Sequence, residues 1–368
     1  MIISFFPSPF GSEPWDLRGN QHIRKLGKHL RETSGNQVNG LSPKQLLSLI
    51  FPANTQTDLL IINWPDYFII SLCEHYITKI FKRTFGLRIS LKLISIVVKA
   101  WFLFFKKSVS IKNMKLAWFI HEVRLHTTDD FKISVDRLVR QCLFNIVDSI
   151  LITENSTLPV IEDAFGSAAT KNIFLSPIGD YSEVHGEAIP KMEAKSKFNI
   201  DCNSRVILHF GTRRENRNEE DLINAFANYE NENLKLIVAG QGYTQTTYRN
   251  VRFFSGLLSN EMVRDLVCAS DFVINPAPLY LNSGALRCAI SYSRCVVGYN
   301  FGSVVDMAND CLVDLSHFTN YSELLSHLES ISQDQINAYE RVALLRNSER
   351  GWSKSYEGLD KLLKHSQF

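Results

Sequence analysis

The chain has 368 residues, enough for two domains of ordinary size, each with its own core. Hydrophobic residues at 45% and charged residues at 21% exclude a disordered or fibrous chain. Lys and Arg number 40 against 38 Asp and Glu, and a net charge of +2 argues against a general nucleic-acid binder, although the charge is spread unevenly.

Residues 1–6, Met-Ile-Ile-Ser-Phe-Phe, read as a first core strand; no basic leader precedes them, and Pro7 and Pro9 break the apolar run, so a signal peptide is not expected. A loop over 11–16 leads into a helix from Asn20 to Arg31, with Gly35 just beyond its end. A strand over 59–63 runs into Trp64, Pro65 and Asp66, and a helix near 67–82 follows. The segment 87–107 is apolar but interrupted by Arg88, Lys92 and Lys99, so it is not expected to span a membrane. It fits two alternatives. One is an amphipathic core helix with a solvated basic edge. The other is an interfacial helix whose basic positions and aromatic cluster at 101–105 suit an anionic membrane surface. A strand over 115–120 ends at His121, a helix covers 135–147, and short strands are expected at 149–153 and 172–175.

Residues 187–203 turn polar, rich in Lys and Glu, and carry Pro190; they are the expected linker between a first domain, 1–186, and a second, 204–346. The second half repeats the alternation. Strands are expected at 205–210, 234–239, 251–254, 271–274 and 295–298, helices at 219–229, 259–268, 283–292, 321–330 and 333–347, and a helical tail at 352–365. Strands alternating with helices imply parallel sheets with covered faces, so the fold class is α/β: two Rossmann-like doubly wound domains facing across a cleft. Seven cysteines, Cys73, Cys142, Cys202, Cys268, Cys288, Cys295 and Cys311, are odd in number and never form a CxxC pair. That pattern points to reduced thiols in a cytosolic compartment instead of disulfides or zinc.

The chemistry is expected at the strand ends of the second half. The run Val-Ile-Leu-His-Phe stops at Gly211 and is followed by Arg213, Arg214 and Arg217. Glycine permits the tight turn, and guanidinium forks match phosphate oxygens. Gly240 and Gly242 follow the next strand, and Asn282, Ser283 and Gly284 open a helix whose first N–H groups suit an anion. Their ordered recurrence points to a diphosphate. A metal is not expected, because Asp129 and Asp130 form an isolated pair that reads as a helix start.

These motifs together resemble the donor domain of a GT-B glycosyltransferase. Phe210-Gly211, Arg214, Arg217 in the place of a family lysine, and Leu222-Ile223 match its first strand, turn and helix. The stretch 236–242 resembles the family's next strand and its Gly-x-Gly turn, and 269–276, 282–284 and 294–297 resemble the parts that close around the donor diphosphate. The likeness covers roughly 205–305 well, and the first half by architecture and a few loops. Many retaining members carry two glutamates around the Ser-Gly turn; here Tyr280 or Leu281 and Cys288 or Ala289 stand in those places. The bare turn is closer to bacterial exopolysaccharide enzymes such as the GDP-mannose-dependent β-mannosyltransferases, which invert.

In the first half, Trp118-Phe-Ile-His-Glu-Val-Arg-Leu-His126 resembles a Trp-x-x-His-Asn element of such transferases, with Glu122 replacing the asparagine. An inverting mechanism needs a base, for which His121, Glu122 and Asp16 are candidates. His22 also fits ordinary helix-start chemistry. His126 and Tyr181 are candidates for the acceptor, Tyr181 because 177–181 resembles the family's His-Gly-x-Tyr loop. Trp352 resembles the start of the terminal helix, so 347–368 is expected to cross back to the first domain. The resemblance implies a metal-independent hexosyltransferase without a cofactor beyond its nucleotide-sugar co-substrate. It would act on a lipid-linked oligosaccharide in exopolysaccharide synthesis, on the cytosolic face of the membrane. A retaining transferase using a UDP sugar and a non-catalytic GT-B-like subunit are the alternatives.

Overall fold

The computed structural model describes residues 1–8, 20–33, 35–42, 45–46, 57–65, 78–125, 127, 129–214, 218–244 and 246–367; within the helix Thr78–Ile111 the side chains are described from Leu91 onward. The chain divides into two compact units, one made of Met1–Pro177 with Ser353–Phe368, the other of Ile178–Trp352.

The first unit is built on a sheet of β1 (Ile2–Phe6), β2 (Gln37–Gly40), β3 (Leu59–Ile62), β4 (Lys115–Phe119), β5 (Ser149–Ile152) and β6 (Asn172–Leu175), in the order β2-β1-β3-β4-β5-β6. Every pairing is parallel. Parallel strands need crossovers that cover both faces, and β3 through β5 accordingly bury almost every residue. On one face Ile3, Phe5, Leu59, Ile61 and Phe119 pack with Ile23, Leu26 and Leu30 of the helix Gln21–Thr33 and with Leu359, Leu362 and Leu363 of the helix Trp352–Ser366. The terminal helix is tied here by backbone approach. Ser176 Oγ donates to Ser355 O at 2.9 Å, and Ser355 Oγ donates to Pro177 O.

The second unit holds β7 (Arg205–Phe210), β8 (Leu234–Gly240), β9 (Val251–Ser255), β10 (Phe272–Ile274), β11 (Cys295–Gly298) and β12 (Leu312–Asp314), all parallel, in the order β12-β11-β10-β7-β8-β9. Counted within the unit this is the 3-2-1-4-5-6 order of a Rossmann sheet, whose switch point falls between β7 and β10. Alternate residues of β7 and β8 feed two cores. Val206, Leu208 and Ile237 meet the helices Asn260–Ala269 and Gly284–Ser291, and Ile207, Leu236 and Val238 meet Glu219–Ala227 and Tyr321–Ser330.

The stretch 187–203, expected as the linker, lies within the second unit. It contains the helix Lys191–Lys197, whose Ala194 is fully buried in the second unit. Its lysines are paired. Lys191 Nζ reaches Asp271 Oδ1 at 2.9 Å and Glu340 Oε1 at 2.8 Å, and Lys195 Nζ donates to Ser204 O at 2.7 Å. The apolar basic segment 87–107 lies inside a longer helix, Thr78–Ile111, and the helix near 67–82 falls mostly on residues outside those described. Strand β2 was not legible, since Gln-Val-Asn-Gly offers a single apolar residue, Val38. The helices Leu158–Phe165 and Ser303–Ala308 and the strand β12 are further additions. Asp129 caps the helix Asp130–Ile146, accepting from the N–H groups of Phe131 and Lys132.

Candidate functional site

In open α/β sheets ligands bind beyond the carboxyl ends of the strands, at the switch point. In the second unit that place is flanked by the loops after β7 and β10. Beyond β7 the chain turns at Gly211, and β8 ends in a turn at Gly240, with φ of 136° and 137°. The two turns run against each other. Gly211 N–H donates to Ala239 O and Arg213 N–H to Gln241 O, both at 2.9 Å, so the ladder continues past the strands. A Cβ on Gly240 would overlap the Gly211 carbonyl oxygen, and one on Gly242 would lie 3.2 Å from Arg213 Cβ. Only glycines allow these loops to approach so closely.

Arg213 and Arg214 are both exposed on this rim. Arg213 pairs with Glu220, whereas Arg214 makes no ion pair among the described residues and keeps its guanidinium available to an anion. Arg217, Asp16 and His126 lie outside the described residues.

The loop after β10 leads to the helix Gly284–Ser291, for which Ser283 is the N-cap; its Oγ accepts from Leu286 N at 3.3 Å and from Asn275 Nδ2 at 3.1 Å. The serine side chain is therefore spent on the helix, which leaves the exposed backbone at Gly284 to face a ligand. Asn282 precedes it, half-buried. Tyr181, expected to meet an acceptor, is placed beside this helix start: a Cβ on Gly284 would lie 3.3 Å from its Oη. Burial pushes its phenol up, with Cys288 adding and Arg287 opposing, so Tyr181 keeps its proton and is a hydrogen-bond donor. Tyr280, Leu281, Cys288 and Ala289, the residues expected in the places of the two glutamates, are all buried.

A buried polar cluster beneath these loops was not singled out from sequence. His209, on β7, has Nδ1 3.1 Å from Ile274 O, and its Nε2 lies 3.2 Å from Glu219 Oε1 and 3.0 Å from Tyr243 Oη. All three side chains are buried. One imidazole thus joins the ends of β7 and β10, the helix after β7 and the loop after β8. The available signal was a single polar residue inside an apolar run.

The carboxyl edge of the first unit is of another kind. His121 follows β4 with its ring stacked on Trp64, centroids 4.3 Å apart and planes 9° apart, and close to Phe119. His22 comes in edge-on at 6.1 Å. Burial lowers the pKa of His22 to about 3; burial first, then His22 and Arg140, hold His121 well below its ordinary value. Both rings are neutral. The next residue, Glu122, is half-buried, and its carbonyl accepts from Arg140 Nη1 at 2.7 Å. Arg140 is itself fixed by Asp136, whose two oxygens accept from Nε at 2.8 Å each, while Asp136 also accepts from Leu125 N. His121 and Glu122 are thereby gathered at one strand end.

No family model and no curated protein matches the chain. Solved structures do. Sucrose-phosphate synthase from Thermosynechococcus elongatus is 12% identical with a TM-score of 0.69, covering 99% of this chain and 98% of its own. HepE of Anabaena, solved with UDP and glucose, is 13% identical with a TM-score of 0.61, covering 99% of both chains. A UDP-forming α,α-trehalose-phosphate synthase from Burkholderia xenovorans is 10% identical with a TM-score of 0.58, covering 100% of this chain and 99% of its own. At such identities the likeness is one of architecture, and with the two parallel six-stranded sheets it shows that this chain has the two-domain α/β fold of the GT-B type.

Proposed function

We propose that the protein is a glycosyltransferase that moves a sugar from a nucleotide diphosphate donor. The observation that carries this reading is the convergence, at the β7 and β10 switch point, of the glycine-tight turns, Arg214 and the exposed helix start at Gly284. Loss of a nucleoside diphosphate builds negative charge on the leaving phosphate. A guanidinium and helix N–H groups aimed at that charge stabilise it as it forms, a task a metal ion performs in other transferases. The Tyr181 phenol adds a neutral donor beside the helix start.

The missing glutamates favour inversion, in which a base removes the acceptor hydroxyl proton as it attacks the anomeric carbon. Of the two described candidates Glu122 is the more accessible to an acceptor, since it is half-buried whereas His121 is buried against Trp64 and Phe119. The resemblance of the bare Asn-Ser-Gly turn to that of the GDP-mannose-dependent β-mannosyltransferases favours GDP-mannose and a lipid-linked acceptor in polysaccharide synthesis. The UDP-bound HepE and the UDP-forming synthase favour a second reading, a transferase for a UDP sugar.

A thermal-shift panel of GDP, UDP, dTDP and CMP sugars, run on the wild type and on Arg214→Ala, tests the site. One nucleotide class should stabilise the wild type, and the variant should bind it roughly 10- to 100-fold more weakly. Equal binding by the variant would remove the site from the β7 loop. NMR of the product anomer then separates inversion from retention, and the absence of turnover with any acceptor would favour a non-catalytic binding subunit.

A further inference from the structure

The most uneven feature of the chain lies away from the nucleotide site. Between residues 75 and 121 there are ten Lys and Arg and no Asp or Glu, which leaves thirty basic against thirty-eight acidic residues in the rest of the chain. Most of this segment is the helix Thr78–Ile111. Its inner face is anchored in the first unit through Ile94, Phe102 and Phe105, all buried. Its outer face is apolar. Ile96, Val97, Leu103, Phe104 and Ile111 are each more than half exposed. At 100° per residue they share an arc of about 120°. Lys92, Lys99 and Lys106, spaced by seven, form an exposed row along one flank, and Lys107 sits within the arc.

We infer that this face docks the protein onto an anionic lipid surface, with the five apolar side chains at the boundary of headgroups and acyl chains and the lysine row among the phosphates. A basic row beside an exposed aliphatic and aromatic stripe meets both layers of such a surface at once, the charged headgroups and the hydrocarbon beneath. A second copy of the chain is a poor occupant because it would bring the same lysines against these, with no acidic residue on either helix to answer them. A nucleic acid would answer the lysines and leave the apolar stripe in water. Among the described residues no helix is long and apolar enough to cross a membrane, so the contact is one of lying on the surface.

Docking draws on the first unit alone and does not depend on the donor reading. The test is co-sedimentation of the full chain with vesicles of phosphatidylcholine alone or mixed equally with phosphatidylglycerol. Binding to the mixed vesicles should exceed binding to the neutral ones at least tenfold and weaken as salt rises from about 0.05 to 0.5 M. Replacing Lys92, Lys99 and Lys106 together by Gln should cost about 100-fold, taking roughly a factor of five for each lysine. Leu103→Ser with Phe104→Ser should abolish most of the remaining partition. Both variants expose only surface positions, and unchanged thermal unfolding and nucleotide binding on the same samples would show that each is folded. Equal binding to neutral vesicles, or no vesicle binding by the wild type, would overturn the inference. So would wild-type affinity in the serine variant, which would mark a polyanion as the partner, or a dimer that the same serine substitutions dissolve.

Discussion

The two units share an architecture and differ in what their sheets offer at the carboxyl edge. In the second unit the edge is made of backbone drawn together by Gly211 and Gly240, with Arg214 and a helix start left open to an anion. In the first unit it is made of rings: His121 on Trp64, with His22 and Phe119 beside it and both imidazoles neutral. One edge presents an exposed guanidinium and a helix start, and the other a packed aromatic corner beside the buried Arg140–Asp136 pair. The side chains at and just beyond the strand ends decide that difference.

The largest expected effect bears on how the first edge is held. Arg140→Met leaves Asp136, 3% exposed, without its guanidinium partner and frees the carbonyl of Glu122. Removing one partner of a buried pair costs roughly 3–5 kcal/mol. Denaturant unfolding should show this loss, and a change below about 1 kcal/mol would mean that the pair does not hold the loop. Next comes Gly240→Ala in the second unit. The new Cβ meets the Gly211 carbonyl at a φ of 137°, so a loss of about 3 kcal/mol is expected together with loss of nucleotide binding. If stability falls while nucleotide affinity stays, the glycine pair is a packing device and not part of the site.

How much of this was legible follows the same division. Much of the second unit reads element by element, because β7, β8 and β11 are largely apolar runs that stop at Gly211, Gly240 and Gly298 and its helices start at Ser259, Ser283, Asn320 and Ser332, each of which caps its helix. The Gly211, Gly240 and Ser283 turns were visible for that reason. Less visible was whatever tertiary pairing decides. Lys191 and Lys195 look solvated in sequence and are tied down by partners such as Asp271 and Ser204, far from them or in another element. His209 looks like an interruption of a strand until Glu219 and Tyr243 are brought to it. Arg140 drew no attention because nothing along the chain announces that it reaches back 18 residues to Glu122.

Acid should break the comparison unevenly. His22 has an ordinary pKa of 6.5 and a folded value of about 3, so below 6.5 the unfolded chain takes up a proton that the folded chain refuses. Stability of the first unit therefore falls as the pH drops from about 6.5 toward 3, by up to roughly 1.4 kcal/mol per pH unit for such a ring, with His121 adding in the same direction. In the second unit burial pushes Asp271 up, but Lys191, Lys195 and the Val206 N–H outweigh it and hold the carboxyl below its ordinary 3.8. Its contribution is present above that value and is lost only as the pH falls through the lowered one. Hydrogen exchange at a series of pH values should show β1, β3 and β4 losing protection near pH 5 while β7, β8 and β10 keep it. His22→Phe should flatten the first slope. Simultaneous loss in both units below pH 4 would refute the assignment of acid sensitivity to the histidine corner.

The smallest effect separates two adjacent arginines. Arg213 is paired with Glu220 on the surface, in a bridge whose side chains are 42% and 71% exposed. Such pairs contribute about 0.2–1 kcal/mol, so Arg213→Ala should shift unfolding by a few tenths of a kcal/mol. Its effect on nucleotide affinity should also stay below that of Arg214→Ala, because a guanidinium already held by a carboxylate must give up that partner to take a phosphate. Isothermal titration of both variants with the nucleotide found by the panel decides the order. If Arg213→Ala weakens binding more, Glu220 orients Arg213 toward the ligand instead of withholding it, and the ion pair at the rim of β7 becomes part of the donor site.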